Sequence, residues 1–155
     1  MSNPDINVVQ RRRSPVPLSQ CGLAFAANKL GDRWSLLILR EAFYGVRRFD
    51  DLQTDLSIPR QALSDRLSRL VALGLLIRAP YRDDGKRERY EYQLTKSAIA
   101  LIPSLMALMN WGAETSGIEL PISVIRRDTG AAIRLAVLDE SGGDVPLDQV
   151  SLVVK

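Results

Sequence analysis

The sequence contains no histidine and a single cysteine, Cys21. Without a second thiol no intrachain disulfide can close, and without imidazole neither a Cys/His zinc site nor a Ser-His-Asp, Cys-His or HExxH mechanism can be assembled within one chain. Gly-rich phosphate loops of the two usual kinds are absent. The paired acids Asp50-Asp51 and Asp83-Asp84 are adjacent rather than spaced on one face, so neither nucleotide hydrolysis nor a carboxylate dyad has a seat. The expectation is a protein that is not an enzyme and carries no cofactor and no metal. Residues 1–18 hold Pro4, Pro15, Pro17 and the run Arg11-Arg12-Arg13, unlike the basic, apolar, small-residue order of a secretory signal. The longest uncharged run, the 17 residues Ser97 to Ala113, is interrupted by Pro103, Ser104 and Asn110 and falls short of a membrane span. It reads as a buried helix in a cytoplasmic protein with no membrane partner.

What is present is enough for a core: 155 residues, 46% apolar and 25% charged, which predicts one compact domain plus an appendage rather than a disordered chain. The net charge of +3 is unevenly placed. Residues 1–117 carry 17 basic against 12 acidic residues, and residues 118–155 carry 4 against 6. Seventeen of the 21 basic residues are arginine, the type suited to bidentate phosphate and base-edge contacts, so the basic front points towards nucleic acid.

Residues 1–17 read as a mobile arm, with scattered prolines and no apolar period. Ser19 is placed to cap a first helix to about Leu30, with the stripe Leu23, Ala26, Ala27, Leu30, and Gly31 ends it. Asp32 caps a second helix, apolar nearly all round, that stops at Gly45. Phe49, Leu52 and Leu56 mark a short third helix. Ser57-Ile58-Pro59 then breaks into a fourth, with Pro59 at its first position, running to about Leu73. Leu63, Leu67, Leu70 and Val71 lie on one side of that helix, and Gln61, Ser64, Asp65, Ser68 and Arg69 towards the other.

After Gly74 the period becomes extended: a strand from Leu75 to Tyr81, a turn at Asp83 to Lys86, and a return strand from Glu88 to Leu94. This hairpin is predicted to have an apolar underside of Tyr90, Tyr92 and Leu94 and a mostly basic upper face. Thr95 caps a single long helix from Lys96 to about Thr115. Its apolar residues point in almost every direction and call for a second subunit as cover, which predicts a homodimer built on this helix and the first, with Leu101, Leu105, Leu108 and Trp111 at the interface; the alternative is a helix at the centre of a monomer's own core. Trp34 is assigned to the core. Beyond Ile118, runs at Ile122 to Arg126, Ile133 to Leu138 and Val150 to Val154 predict a small β appendage.

Helix, short helix, turn, helix and a hairpin with a basic tip is the order of a winged helix-turn-helix domain. The predicted class is therefore α+β, mainly α, with a long terminal dimerisation helix and a small C-terminal β appendage. The divisions are 1–17 for the arm, 18–117 for the winged domain and 118–155 for the appendage. Arg60 and Gln61 fall in the first turn of the fourth helix, where helix N-termini approach base edges. Winged helices also dock proteins and RNA, so a protein-interaction module whose basic face is incidental stands as the alternative.

The stretch Cys21 to Trp111 resembles the HxlR-type family of bacterial winged-helix regulators, relatives of the MarR type. The resemblance is carried by GDRW to RRF (residues 31–49), IPRQALSDRLSRLVALGLL (58–76), YEYQLT (90–95) and LMNWG (108–112). It implies a dimeric transcription regulator, here taken as a repressor, bound to double-stranded DNA at a pseudo-palindromic site. The reading helix would be Pro59 to Leu73, with Arg60, Gln61, Ser64, Asp65, Ser68 and Arg69 on it. The wing would be Tyr81 to Glu91, with Arg82, Lys86, Arg87 and Arg89, and the corner Arg47-Arg48-Phe49. Many relatives have prolines in the wing where this chain has Asp83-Asp84-Gly85, which lowers the positive charge at the tip. The family's LTxxG reads Leu94-Thr95-Lys96-Ser97-Ala98. The tail resembles the zinc-ribbon extension of one subgroup, with Asp128-Thr129-Gly130 and Asp139 to Gly143 in place of the cysteine knuckles, so the shape is expected without the metal.

Several side chains carry two readings. Cys21, in the first turn of a helix and opposite its stripe, is a candidate redox sensor, as some members of the family are through this cysteine; a free cysteine is also a common apolar filler. Arg47 and Arg48 anchor phosphates, or pair with Asp50 or Asp51 in a solvated turn. Asp65 either accepts from cytosine or pairs with Arg69 one turn on. Arg11 to Arg13 form a DNA arm or a merely soluble run. An effector would be an oxidant or a small molecule held between the helices, and would act on the spacing of the two reading helices.

Overall fold

The computed structural model describes residues 12–85 and 87–151. Arg11, Lys86 and positions 152–154 of the last predicted strand lie outside the described residues. Among the described residues six α-helices and one hairpin follow in order: α1 (Gly22–Leu30), α2 (Arg33–Tyr44), α3 (Phe49–Leu56), α4 (Arg60–Ala72), β1 (Leu76–Tyr81), β2 (Arg89–Leu94), α5 (Lys96–Ile99) and α6 (Ile102–Ser116). The mainly helical architecture with a small antiparallel sheet is the one expected from the residue pattern.

The core sits where α2, α3, α4 and the base of the hairpin meet. Ile38 and Leu39 of α2, Leu52 of α3, Leu63, Leu67 and Leu70 of α4 and Leu76 of β1 are buried to within 1%. The spacing of Leu63, Leu67 and Leu70 puts them on one side of α4, which leaves its other side free. Between α3 and α4 the chain reverses through Ser57, held in the left-handed region at φ 49°, and Ile58, which is buried. Pro59 is the N-cap of α4 and not its first residue as expected. Its carbonyl accepts from the Leu63 amide at 3.0 Å, and its missing N–H falls where none is needed.

Asp32 caps α2 as predicted and also ties it to α4. Its carboxylate accepts from the Ser35 amide at 3.0 Å and the Ser35 hydroxyl at 2.6 Å, and it pairs with Arg66 Nε at 3.0 Å. Burial pushes this carboxyl up, but the Ser35 bonds and Arg66 outweigh it and hold it below the usual carboxylate range. Gly45, at φ 94°, closes the other end of α2, with its own amide bonded to Ala42 and that of Val46 to Glu41.

The start of the first helix and the unbroken terminal helix are corrected. Residues Leu18–Gln20 form a 3-10 turn closed by the Gln20 amide on the Pro17 carbonyl, and α1 begins only at Gly22. Cys21, and not Ser19, is its N-cap. Of the stripe on α1, Leu23 is 78% exposed and Leu30 packs against the core. The long terminal helix is two helices. Pro103 lacks the N–H that would continue α5, so the chain tightens at Ala100 and Leu101 and restarts as α6. Of the residues expected between subunits, Leu101 and Leu105 are half-buried against the protomer's own core, and Leu108 and Trp111 are exposed. Thr95 does cap as predicted, accepting from the Ala98 amide.

In the appendage, the two predicted runs hold one bridge each, Ile125 with Ala132 and Leu138 with Asp144, in place of continuous strands. Each bridge flanks a tight turn. In the second, Asp139 Oδ1 accepts from the Ser141 hydroxyl at 2.6 Å and from the Ser141 and Gly143 amides at 2.8 and 3.0 Å. Those bonds, the hydroxyl first, hold the Asp139 carboxyl below its ordinary range. One carboxylate thus closes the knuckle-like turn from within.

Candidate DNA-binding surface

The outward side of α4 presents Arg60, Gln61, Ser64, Asp65, Ser68 and Arg69, all exposed. They are fixed in orientation because Leu63, Leu67 and Leu70 anchor the opposite side. The expected Asp65 to Arg69 pair does not form. Gln61 Nε2 donates to Asp65 Oδ1 at 2.8 Å, one turn the other way, and Arg69 Nη2 donates to the carbonyl of Asn28 in α1 at 2.9 Å.

Beside α4 lies the wing, in register from Leu76 opposite Leu94 to Tyr81 opposite Arg89. The corner Arg47-Arg48 runs along β2: the Tyr92 amide donates to the Arg47 carbonyl at 2.8 Å, and Arg48 bridges Glu91. Backbone pairing therefore brings the corner, the wing and the start of α3 into one surface.

The charges of that surface are largely paired, which the hairpin's alternation did not foretell. Arg48 makes a two-pronged contact with Asp83 at 2.9 and 3.4 Å while its guanidinium lies 4.4 Å from the Tyr81 ring. Desolvation opposes the Arg48 charge, but Asp83 outweighs it and raises its pKa. Arg47 pairs with Glu91 at 3.7 Å and Arg89 with Asp50 at 3.2 Å, and Asp50 also lies 4.0 Å from Arg60. The partners foreseen for Arg47 and Arg48, Asp50 and Asp51, are not the ones used, because the sheet carries β2 and the wing tip to the corner. Among the described residues, Arg82 and Arg87 are exposed and make no ion pair. Lys86 lies outside them. The predicted apolar underside is also mixed, since Tyr90 is 46% exposed and carries Arg78 over its ring at 4.2 Å.

Arg78 is the residue that the sequence reading does not name, and Asp50 is named there only as a partner for Arg47 or Arg48, not for Arg89 and Arg60. Period-two alternation in β1 puts Arg78 on the same side as its partner Tyr92, a signal that identified the hairpin but was not applied to its first strand. Both residues line a cleft of about 490 Å³ between the start of α3, the start of α4 and the wing.

Away from this surface, Cys21 is half-buried, and its Sγ accepts from the Ala24 amide at 3.4 Å. Leu23 and Phe25 of α1 and Leu108 and Trp111 of α6 leave large apolar side chains exposed. No helix among the described residues is long and apolar enough to cross a membrane.

Comparison with known proteins agrees with this geometry. Over 89 residues the chain is 53% identical to MT3179, an uncharacterised HTH-type transcriptional regulator of Mycobacterium tuberculosis, a match covering 57% of this chain and 55% of that protein. The chain thus spans about half the length of that curated relative. The solved structure of PA1607, described as a candidate transcription factor, is 31% identical, covers 88% of this chain and 96% of its own, and superposes with a TM-score of 0.73. The redox regulator HypR in its oxidised form is 25% identical over 61% of this chain and 96% of its own, with a TM-score of 0.55. The model of the HxlR-like helix-turn-helix family matches residues 29–119, and the chain belongs to that family.

Proposed function

We propose that this protein is a dimeric, sequence-specific DNA-binding transcription regulator acting as a repressor. Residues 18–117 form its winged domain and 118–155 an appendage. The observation that carries the reading is the rigid, exposed polar side of α4 standing beside the wing, with its anchoring leucines buried. In this reading α4 enters the major groove. Arg60, Gln61, Ser64 and Ser68 meet base edges, with Asp65 braced by Gln61, and each good bidentate contact contributes about 1–3 kcal/mol of discrimination. Arg47, Arg48, Arg82, Lys86, Arg87 and Arg89 meet the sugar-phosphate backbone. The exposed Leu108 and Trp111, together with Leu23 and Phe25, form the interface with a second copy, which sets the two reading helices about 34 Å apart. The test is a mobility shift on the DNA flanking its own gene. A complex that survives excess unrelated competitor supports the reading. Retention equal on all sequences would instead favour a protein-docking winged helix.

A second reading concerns gating by oxidation at Cys21. It is favoured by the placement of the half-buried thiol at the N-terminus of α1, where its Sγ accepts from the Ala24 amide, and by the likeness to a redox regulator. A small ligand held between the helices is the other gating route.

A further inference from the structure

The cleft between the start of α3, the start of α4 and the wing collects three guanidinium groups, Arg60, Arg78 and Arg89, around one carboxylate, Asp50. Asp50 Oδ2 is 3.2 Å from Arg89 and Oδ1 is 4.0 Å from Arg60, so the carboxylate bridges the reading helix and the wing. Arg78 and Arg60 lie over aromatic rings, Tyr90 at 4.2 Å and Phe49 at 4.9 Å. Stacking restrains a guanidinium while leaving its N–H edge free for an oxyanion. One negative group among three positive ones leaves the cleft with an excess of two positive charges. The bridging carboxylate is 65% exposed on its side chain, so its ion pairs are weakly held and exchangeable.

We infer that this cleft is the seat of a single phosphodiester of a DNA strand passing between the reading helix and the wing, and that Asp50 is an internal counter-anion occupying the seat in the free protein. The inference rests on the DNA-binding reading above and adds the seat and its occupant. On binding, a phosphodiester oxygen takes the donors of Arg89 from the Asp50 carboxylate, and Arg78 supplies a second, while Arg60, 4.0 Å from Asp50, keeps the base-edge role given to it above. No base edge enters the seat itself. Asp50 therefore lowers affinity for every sequence alike and contributes nothing to discrimination, so it acts as a positioning and tuning residue.

The test compares the full chain with Asp50→Asn and Arg78→Ala by fluorescence anisotropy on an operator duplex and an unrelated duplex across a salt series, after circular dichroism shows each variant folded. Asp50→Asn is expected to tighten both duplexes by the same factor, roughly three- to tenfold, and to steepen the log-log salt slope by about one. Arg78→Ala is expected to weaken both equally and to make the slope shallower by about one. Inorganic phosphate at matched ionic strength is expected to leave the affinities unchanged; specific competition by phosphate would assign the seat to the free ion and overturn the inference. It is also overturned if Asp50→Asn leaves binding unchanged while the parent binds DNA, or if the gain is confined to one sequence. Absence of binding by parent and variants alike would remove the DNA-binding reading itself.

Discussion

Arg69, near the end of α4, is hydrogen-bonded to the backbone carbonyl of Asn28 in α1 at 2.9 Å. The bond joins the helix capped by Cys21 to the helix assigned to base reading, across 41 positions of sequence. A guanidinium bound in this way holds α1 against α4.

Arg69→Ala is expected to loosen α1 without altering base preference. Because the bond is exposed and its donor is charged, the loss of stability is set at about 1 kcal/mol. Hydrogen exchange should rise in residues 22–30 first. An operator preference that changed with this variant would instead give Arg69 a base-reading role.

Asp32 predicts an acid limb in the stability curve. Its carboxyl titrates below its ordinary value of 3.8 in the folded chain, so the folded state binds this proton more weakly than the unfolded state does. The stabilisation is therefore fully present above pH 4 to 5 and is lost as pH falls through the lowered value. Asp32→Ala should cost about 1–2 kcal/mol at neutral pH, as expected of a lost N-cap that also pairs with Arg66, and should flatten this limb in urea titrations from pH 7 to 3.

Exposure divides the terminal helix region into two kinds of leucine. Leu108→Glu or Trp111→Ala is expected to halve the particle mass in sedimentation with little change in protomer fold. Leu105→Ala, at a residue packed on the protomer's own core, should lower the unfolding midpoint and leave assembly intact. A dimer insensitive to both Leu108 and Trp111 would relocate the interface.

Cys21→Ser is a clean probe of thiol gating, because serine is a better N-cap than cysteine and should preserve α1. DNA binding that diamide abolishes in the parent but not in this variant is the expected result. An equal response from both proteins would exclude the thiol and direct attention to a ligand.

The order of elements, the caps at Asp32 and Thr95, the turn at Ser57 to Pro59 and the polar side of α4 were readable from the residues alone. Each depends on neighbours within one or two helical turns, where spacing and propensity dictate geometry. The GDRW to RRF block carried the family for the same reason. Local chemistry that could have been weighed more heavily is Pro103, whose missing N–H splits the terminal helix. Tertiary structure alone decided the rest. Arg48 meets Asp83, and Arg89 meets Asp50, only because the hairpin folds back on the corner at the start of α3. Leu101 and Leu105 pack on the core where the chain passes from α5 into α6. Ion pairs across 35 or more positions and the direction in which an all-apolar helix is covered leave no periodic trace in a sequence. They are set by which surfaces meet, and the charge available to a phosphate is set with them.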